Sequence, residues 1–211
     1  MKKISFYSLL IGFILYSNLS FGQDENESTY SKFSLITYGT IGFAKVENDN
    51  QANYNLDANS AELLLNYKFN KKYGIFTGVG ITELSGSGFN DESIFYHERS
   101  VIKIPLGLSI SYDLSDKLST YMGIAAYGQT IISDEYRYID RTVEDLYEGW
   151  NFGAQFSLGI THQVDDCLSI GLIYSGQSDF TKLETTDNAS FKDEQKITDL
   201  NTLGLLLEWT F

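Results

Sequence analysis

Residues Leu203–Phe211 read LGLLLEWTF. Counting by two places Leu203, Leu205, Leu207, Trp209 and Phe211 on one face, and Thr202, Gly204, Leu206, Glu208 and Thr210 on the other. That is strand periodicity, because successive side chains of a β-strand point to opposite sides. The first face is wholly apolar and ends in two aromatics, while the second is mostly small or polar. Such a strand rests one face on an apolar medium, which is either the core of a soluble sheet or lipid. The choice between them depends on the rest of the chain.

Working back from this strand, the same alternation recurs seven times. Its clearest instance is Ser100 to Leu114, where Ile102, Ile104, Leu106, Leu108, Ile110, Tyr112 and Leu114 alternate with Lys103, Pro105, Gly107, Ser109, Ser111 and Asp113. Ala58 to Phe69 sets Ala61, Leu63, Leu65, Tyr67 and Phe69 against Glu62, Leu64, Asn66 and Lys68. Tyr73 to Leu84, Leu118 to Ile132, Glu148 to Val164 and Leu168 to Phe180 follow suit. Phe33 to Lys45 does so less regularly, with Leu35, Ile41 and Phe43 on one face. Tight turns at 70–72, 115–117 and 165–167 alternate with four polar stretches read as long loops, 46–57, 85–99, 133–147 and 181–196.

Eight strands in this order predict an all-β, closed, antiparallel up-and-down barrel over residues 33–211. An even strand count with short turns at one end and longer loops at the other is what a transmembrane barrel needs. Each segment reaches the ~9–11 residues that cross the hydrocarbon. Closure follows because lipid offers no partner for backbone N–H and C=O groups. A soluble barrel would have to turn the mixed face outward, and that face carries few charges among its Gly and Ser.

The N-terminus agrees with export. Lys2 and Lys3 precede an apolar run from Ile4 to Tyr16, and Ser20-Phe21-Gly22 follows as a small-x-small site. Residues 1–22 read as a secretory signal peptide cut between Gly22 and Gln23, and 23–32 as a short periplasmic leader. The apolar run is shorter than the ~20 residues of a spanning helix. The chain of 211 residues has 15% aromatic residues, 15 Tyr and 14 Phe among them, but one Pro, which suits closely paired strands with interfacial girdles. Its net charge is −13, so it lacks the basic stripe that nucleic acid requires.

The stretch Arg99 to Tyr112, RSVIKIPLGLSISY, resembles the central motif of the bacterial outer membrane protein β-barrel domain family, the PorT-like group of the porin superfamily. The whole pattern is similar to the OmpA/OmpX-like eight-stranded barrels, and Trp209-Thr210-Phe211 resembles their terminal strand. The resemblance implies an outer-membrane location with both mature termini periplasmic. It also implies that Leu203, Leu205, Leu207, Trp209 and Phe211 form the signal read by the barrel-assembly machinery. It does not imply an activity, since such barrels include structural, adhesive and pore-forming members.

Candidate chemistry is sparse. His97, read as a loop residue, and His162, at the turn end of its strand, have no close His or Cys partner for a metal. Ser157 and His162 differ in parity, and no motif of a lipid-modifying hydrolase is seen, so no catalytic residue is assigned. Cys167 sits in a tight turn without a base beside it. No cofactor is expected. The acidic loop residues Asp134, Glu135, Asp140, Glu144, Asp145, Glu148, Glu184, Asp187, Asp193 and Glu194 suit a solvated surface, with a basic partner or a divalent cation as the functional reading. Inside the barrel, Glu62, Lys68, Lys103, Asp113 and Glu208 are expected in the lumen, opposite charges paired. The expected role is non-enzymatic: a membrane anchor presenting loops for structural, adhesive or docking work. A narrow passive channel for ions or small solutes is the alternative.

Overall fold

The computed structural model describes residues 31–90, 93–186 and 192–211. The signal peptide, the Gly22/Gln23 cleavage site, most of the leader and Asp187 lie outside them. Eight long strands form the wall: β1 (Phe33–Asn48), β2 (Tyr54–Lys68), β3 (Tyr73–Phe89), β4 (Ile94–Ser115), β5 (Leu118–Arg137), β8 (Trp150–Gln163), β9 (Leu168–Asp179) and β11 (Glu194–Thr210). Three short strands, β6 (Thr142–Glu144), β7 (Tyr147–Glu148) and β10 (Leu183–Thr185), lie in the loops. Each long strand pairs antiparallel with its neighbours in chain order, and β11 returns to β1 from Ser34↔Thr210 to Asn48↔Gln195. The ring is therefore closed, and the backbone polar groups within the span find partners across it.

The apolar faces point outward. Leu106 and Leu108 of β4 are 60% and 61% exposed, while Lys103, on the opposite face of the same strand, is 1% exposed. On β4 the outer apolar run covers Ile102 to Tyr112, and Ser100 and Glu98 stand above it on the same face. The run matches a belt ~25 Å tall, flanked at the turn end by Phe33, Tyr67, Tyr73 and Tyr112. No helix among the described residues is long and apolar enough to cross a membrane.

The tight turns have a local cause. Asn70 Oδ1 accepts from the backbone N–H groups of Lys72 and Tyr73 at 2.8 and 2.9 Å, and Asp165 Oδ1 from those of Cys167 and Leu168 at 2.9 and 2.8 Å. An Asn or Asp side chain that bonds its own backbone two residues on fixes the reversal. Closure also needs glycine at one seam. A Cβ on Gly42 would lie 1.9 Å from the Asn201 carbonyl oxygen, and one on Gly204 would lie 1.9 Å from that of Gly39.

The long loops are the main correction. Of the expected loop 46–57 only 49–53 lies between strands, and of 85–99 only 90–93. The strands continue past the membrane with their polarity exchanged. On β2, Tyr54, Leu56 and Ala58 point inward while Asn55, Asp57 and Asn59 point out. Above the belt the outer solvent is water, so the apolar residues turn to the interior, as in any soluble barrel. In the other two loops, β5 runs on to Arg137 and pairs with β6, and β7 pairs with β10, which pairs with β11.

Two apolar clusters fill the inside. Ile36, Tyr38, Leu64, Phe76, Tyr121, Ala125, Ile173 and Leu206 pack within the membrane span. A larger one around Leu56, Leu84, Phe95, Tyr136, Tyr147 and Leu200 packs under the loops.

Candidate functional site

The lumen is the place where this sequence puts charge, and it does so in separate layers. At the turn end, Lys68 Nζ and Glu208 Oε1 are 3.1 Å apart, both partly open to solvent. Asp113 does not join them: it is exposed at the rim and accepts a 2.7 Å hydrogen bond from the Ser119 hydroxyl. The inward parity of β4 carries it past the end of the β3 pairing, which stops at Ile110, so it never faces the lumen.

In mid-span, Lys103 Nζ lies 2.6 Å from Glu62 Oε1 and donates to Gln155 Oε1 and Gln177 Oε1 at 2.9 and 2.7 Å. An ammonium has three donors, and all three are used. Gln155 Nε2 donates onward to the Tyr38 hydroxyl at 2.8 Å, and the Tyr127 ring lies 5.3 Å from the ammonium. Higher up, Asp179 accepts from neutral donors: the Tyr127 hydroxyl, Gln129 Nε2, Asn151 Nδ2 and the Ile197 backbone N–H, between 2.7 and 3.2 Å. The interior thus alternates hydrogen-bonded polar layers with apolar ones, though Glu62 Oε2 and the Tyr121 hydroxyl are buried without a partner among the described residues, and Phe76, Tyr127, Leu64 and Leu206 are all buried in it.

The uppermost layer, above the outer apolar belt, was not foreseen from the sequence. Arg99 donates to Asp134 Oδ1 and Oδ2 at 2.8 and 3.2 Å, to Gln195 Oε1 at 2.5 Å and to the Tyr136 hydroxyl at 3.3 Å. His97, expected on a loop surface, is on β4 and fully buried, its ring stacked on Tyr136 with centroids 4.0 Å apart. Its Nε2–H donates to Asp134 Oδ1 at 2.8 Å, so Nδ1 is the acceptor for the Tyr54 hydroxyl at 2.9 Å. Burial first, and then the Arg99 guanidinium, push the imidazole down to about 4, so it is neutral near pH 7. Burial pushes Tyr54 up to about 12. Burial alone would raise Asp134, but Arg99 and His97 hold it well below the usual carboxylate range.

Two of the expected surface acids are therefore internal. Asp134 is the counter-charge of Arg99, and Asp193 is buried, its Oδ1 accepting from the backbone N–H of Asp49 and Asn50 at 3.2 and 2.9 Å. Glu194 instead shares Lys182 with Asp49 at the surface. Among the described residues no group of three or more His, Cys, Asp or Glu could hold a metal ion. Ser157 faces the lumen and His162 is exposed outside. Cys167 is exposed in its turn, and its thiol is raised, chiefly by the hydrogen bond to Asp165. On β11, Leu203 and Leu205 are exposed on the outer wall, Leu207 and Trp209 share that face, and Phe211 is exposed at the end with its N–H on the Phe33 carbonyl at 3.1 Å.

No protein-family model matches the chain, and no curated protein matches it by sequence. The PorT-like resemblance therefore stands on residues 99–112 alone. Solved structures match in fold. Neisserial surface protein A aligns over 87% of this chain and 100% of its own, with a TM-score of 0.55 and 11% identity. A major outer membrane protein of Thermus thermophilus aligns over 85% and 99%, with a TM-score of 0.52 and 10% identity. The outer membrane protease OmpT of Escherichia coli aligns over 90% and 99%, with a TM-score of 0.51 and 11% identity. At such identities the likeness carries the fold and no activity. By its closed eight-strand ring, its outward apolar belt and these likenesses, the chain has the fold of the OmpA/OmpX-like outer-membrane β-barrels.

Proposed function

We propose that this protein is a non-enzymatic outer-membrane anchor whose working part is its loop end, and that both mature termini face the periplasm. The filled lumen is the observation that carries the reading. Eight strands leave an interior just wide enough for side chains, and here two apolar clusters and three paired charge layers occupy it. A water path would have to pass Phe76, Leu64 and Leu206, which are buried against one another in mid-span. Lys103 offers no free donor to a passing anion, and Arg99 is spent on Asp134, Gln195 and Tyr136.

The loop end is built to present a fixed surface. Loops that pair as β6 on β5 and as β7 on β10 on β11 are held by backbone hydrogen bonds over a packed core. Asp140, Glu144, Glu148 and Glu184 remain exposed around it, which favours a basic partner or a divalent cation over an anionic one. The outer face of Leu203, Leu205, Leu207, Trp209 and Phe211 serves insertion through the barrel-assembly machinery.

The test is planar-bilayer conductance of refolded, signal-free protein, with a heat-modifiability gel to establish that the barrel has formed. A folded barrel without discrete current steps is the expected result. Steady discrete openings would replace the anchor reading with a channel.

A further inference from the structure

A recess of about 260 Å³ interrupts the lipid-facing wall across β1 to β4. Thr37, Leu63, Val79, Ile81 and Ile102 stand around Ala61, and Glu62 and Gly80, whose side-chain positions face the lumen, line it with backbone. Two local features make it. Gly39, opposite Ala61 on β1, also faces outward, and a Cβ there would meet nothing within 4 Å, so two adjacent positions lack the bulk that Leu63 and Leu65 supply below them. Pro105, the one proline of the chain, has no N–H to donate to a neighbouring strand. The β3–β4 ladder lapses there, between Thr77↔Leu106 and Gly80↔Lys103, with the Thr77 hydroxyl donating to the Pro105 carbonyl at 2.8 Å; Val79 lies in the gap.

The position of the recess selects its occupant. Ala61, Ile81 and Ile102 form one row across β2, β3 and β4, and the next row towards the loops is Asn59, Glu83 and Ser100. The recess therefore opens to hydrocarbon just below the edge of the apolar belt, with polar side chains directly above it. Its own surface is apolar, since the Thr37 hydroxyl is spent on the Glu62 carbonyl at 3.0 Å. Glu83 and Asp57, both exposed on the outer face above it, have no cationic partner among the described residues, and the nearby Lys45 is paired with Glu47. Two uncompensated carboxylates repel a purely anionic headgroup and attract an ammonium. A second copy of this chain fits less well, because a two-fold contact apposes the same patch of each copy and would bring these carboxylates face to face. We infer that the recess holds one acyl chain of a lipid whose headgroup carries an ammonium group, with Glu83 and Asp57 as its counter-charges. This site lies on the barrel wall, apart from the loop end, and goes beyond the anchor reading.

The experiment is native mass spectrometry of the refolded, signal-free barrel released from detergent with equal amounts of phosphatidylethanolamine and phosphatidylglycerol of matched chains, in EDTA, after a heat-modifiability gel shows that the barrel has formed. Retention of one phosphatidylethanolamine per barrel is expected, in preference to phosphatidylglycerol by about threefold, the order that an exposed ion pair supplies. Glu83→Gln combined with Asp57→Asn should remove the preference and leave a lipid bound. Ala61→Phe, which fills the recess from an exposed position, should lower retention of both lipids by about threefold or more. Ile124→Ala, on the β5 wall, should change neither. Equal retention of the two lipids by the unaltered barrel, a preference for phosphatidylglycerol, or retention indifferent to Ala61→Phe would overturn the inference. So would phosphatidylglycerol binding that is restored only when Ca²⁺ replaces EDTA, which would make a bridging cation the ligand, or a dimer in place of the lipid adduct. None of those outcomes touches the anchor reading, which stands or falls on conductance.

Discussion

The Arg99–Asp134 pair is the most exacting place to test this account of the lumen. Asp134→Asn keeps the volume and removes the charge. Both side chains of the pair are fully buried, and the carboxylate takes three hydrogen bonds, two from Arg99 and one from His97. Removing one member of a buried ion pair leaves the other uncompensated and typically costs ~3–5 kcal/mol. With an m-value of about 2 kcal/mol/M, the urea midpoint of the refolded barrel should fall by roughly 1.5–2.5 M. Glu98→Gln is the control. Glu98, next to Arg99 on β4, pairs with Arg137, but both are nearly half exposed, and such a pair is worth ~0–1 kcal/mol. Arg99→Leu combined with Asp134→Leu removes both charges and should recover much of the loss, because apolar replacement of a whole buried pair is often neutral. If Asp134→Asn shifts the midpoint no more than Glu98→Gln does, the pair is not holding the upper barrel and the reasoning fails.

Two further outcomes follow from the same layers. His97 is held near 4 against an ordinary value of about 6.5, so the unfolded chain takes up its proton first; stability should be complete above pH 6.5 and fall by about 3 kcal/mol towards pH 4, a slope that His97→Gln should abolish in urea titrations across that range. Because Asp134 is depressed below the ordinary carboxylate value, its own contribution is kept above about pH 4 and lost only at lower pH, so the two windows separate. Glu62→Leu should cost ~3–5 kcal/mol by stranding the buried Lys103, whereas Glu208→Leu should cost about 1 kcal/mol, since Lys68 at the open end keeps some water; equal urea midpoints for the two variants would contradict this ranking.

The membrane part of the fold is legible in the sequence because one rule governs it without interruption. From Ile102 to Tyr112 every second residue is apolar and every second residue faces the lumen, so counting is enough. The upper barrel obeys the same alternation with the opposite polarity, and a search for apolar outer faces passes over Tyr54 and Leu56 as loop. Asp134 was hidden by a second cause. Tyr121, Ala125, Tyr127 and Gln129 face inward at odd numbers, but the ladder with β4 slips between Ser100↔Ser133 and Val101↔Ile131, and beyond that bulge Asp134 and Tyr136 face inward at even numbers. A bulge adds one residue to one strand and exchanges its faces. Extending the parity of Lys103 back along β4 would have brought Arg99, His97 and Phe95 into the lumen, and a buried Arg would have demanded an acid. Nothing in the local sequence marks the slip that supplies one.

The exchange of polarity also explains why the charge layers sit where they do and why they do not make a pore. Below the belt edge the outside is lipid, and apolar side chains gain as much outside as in, so the interior can take Lys103, Glu62, Gln155 and Gln177 provided each is paired. Above it the outside is water, and the interior must collect the apolar residues to gain stability at all. Arg99, His97 and Asp134 lie at the change of regime, under Tyr136 and Tyr147 and above the mid-span layer. A satisfied network there specifies the register of β4 on β5 across the bulge, since a one-residue slip would separate Arg99 from Asp134 and leave both buried charges unpaired. The charges in this lumen therefore act on the wall that contains them. By holding β4 and β5 in register up to Tyr136, they fix the apolar and aromatic core on which the loops rest.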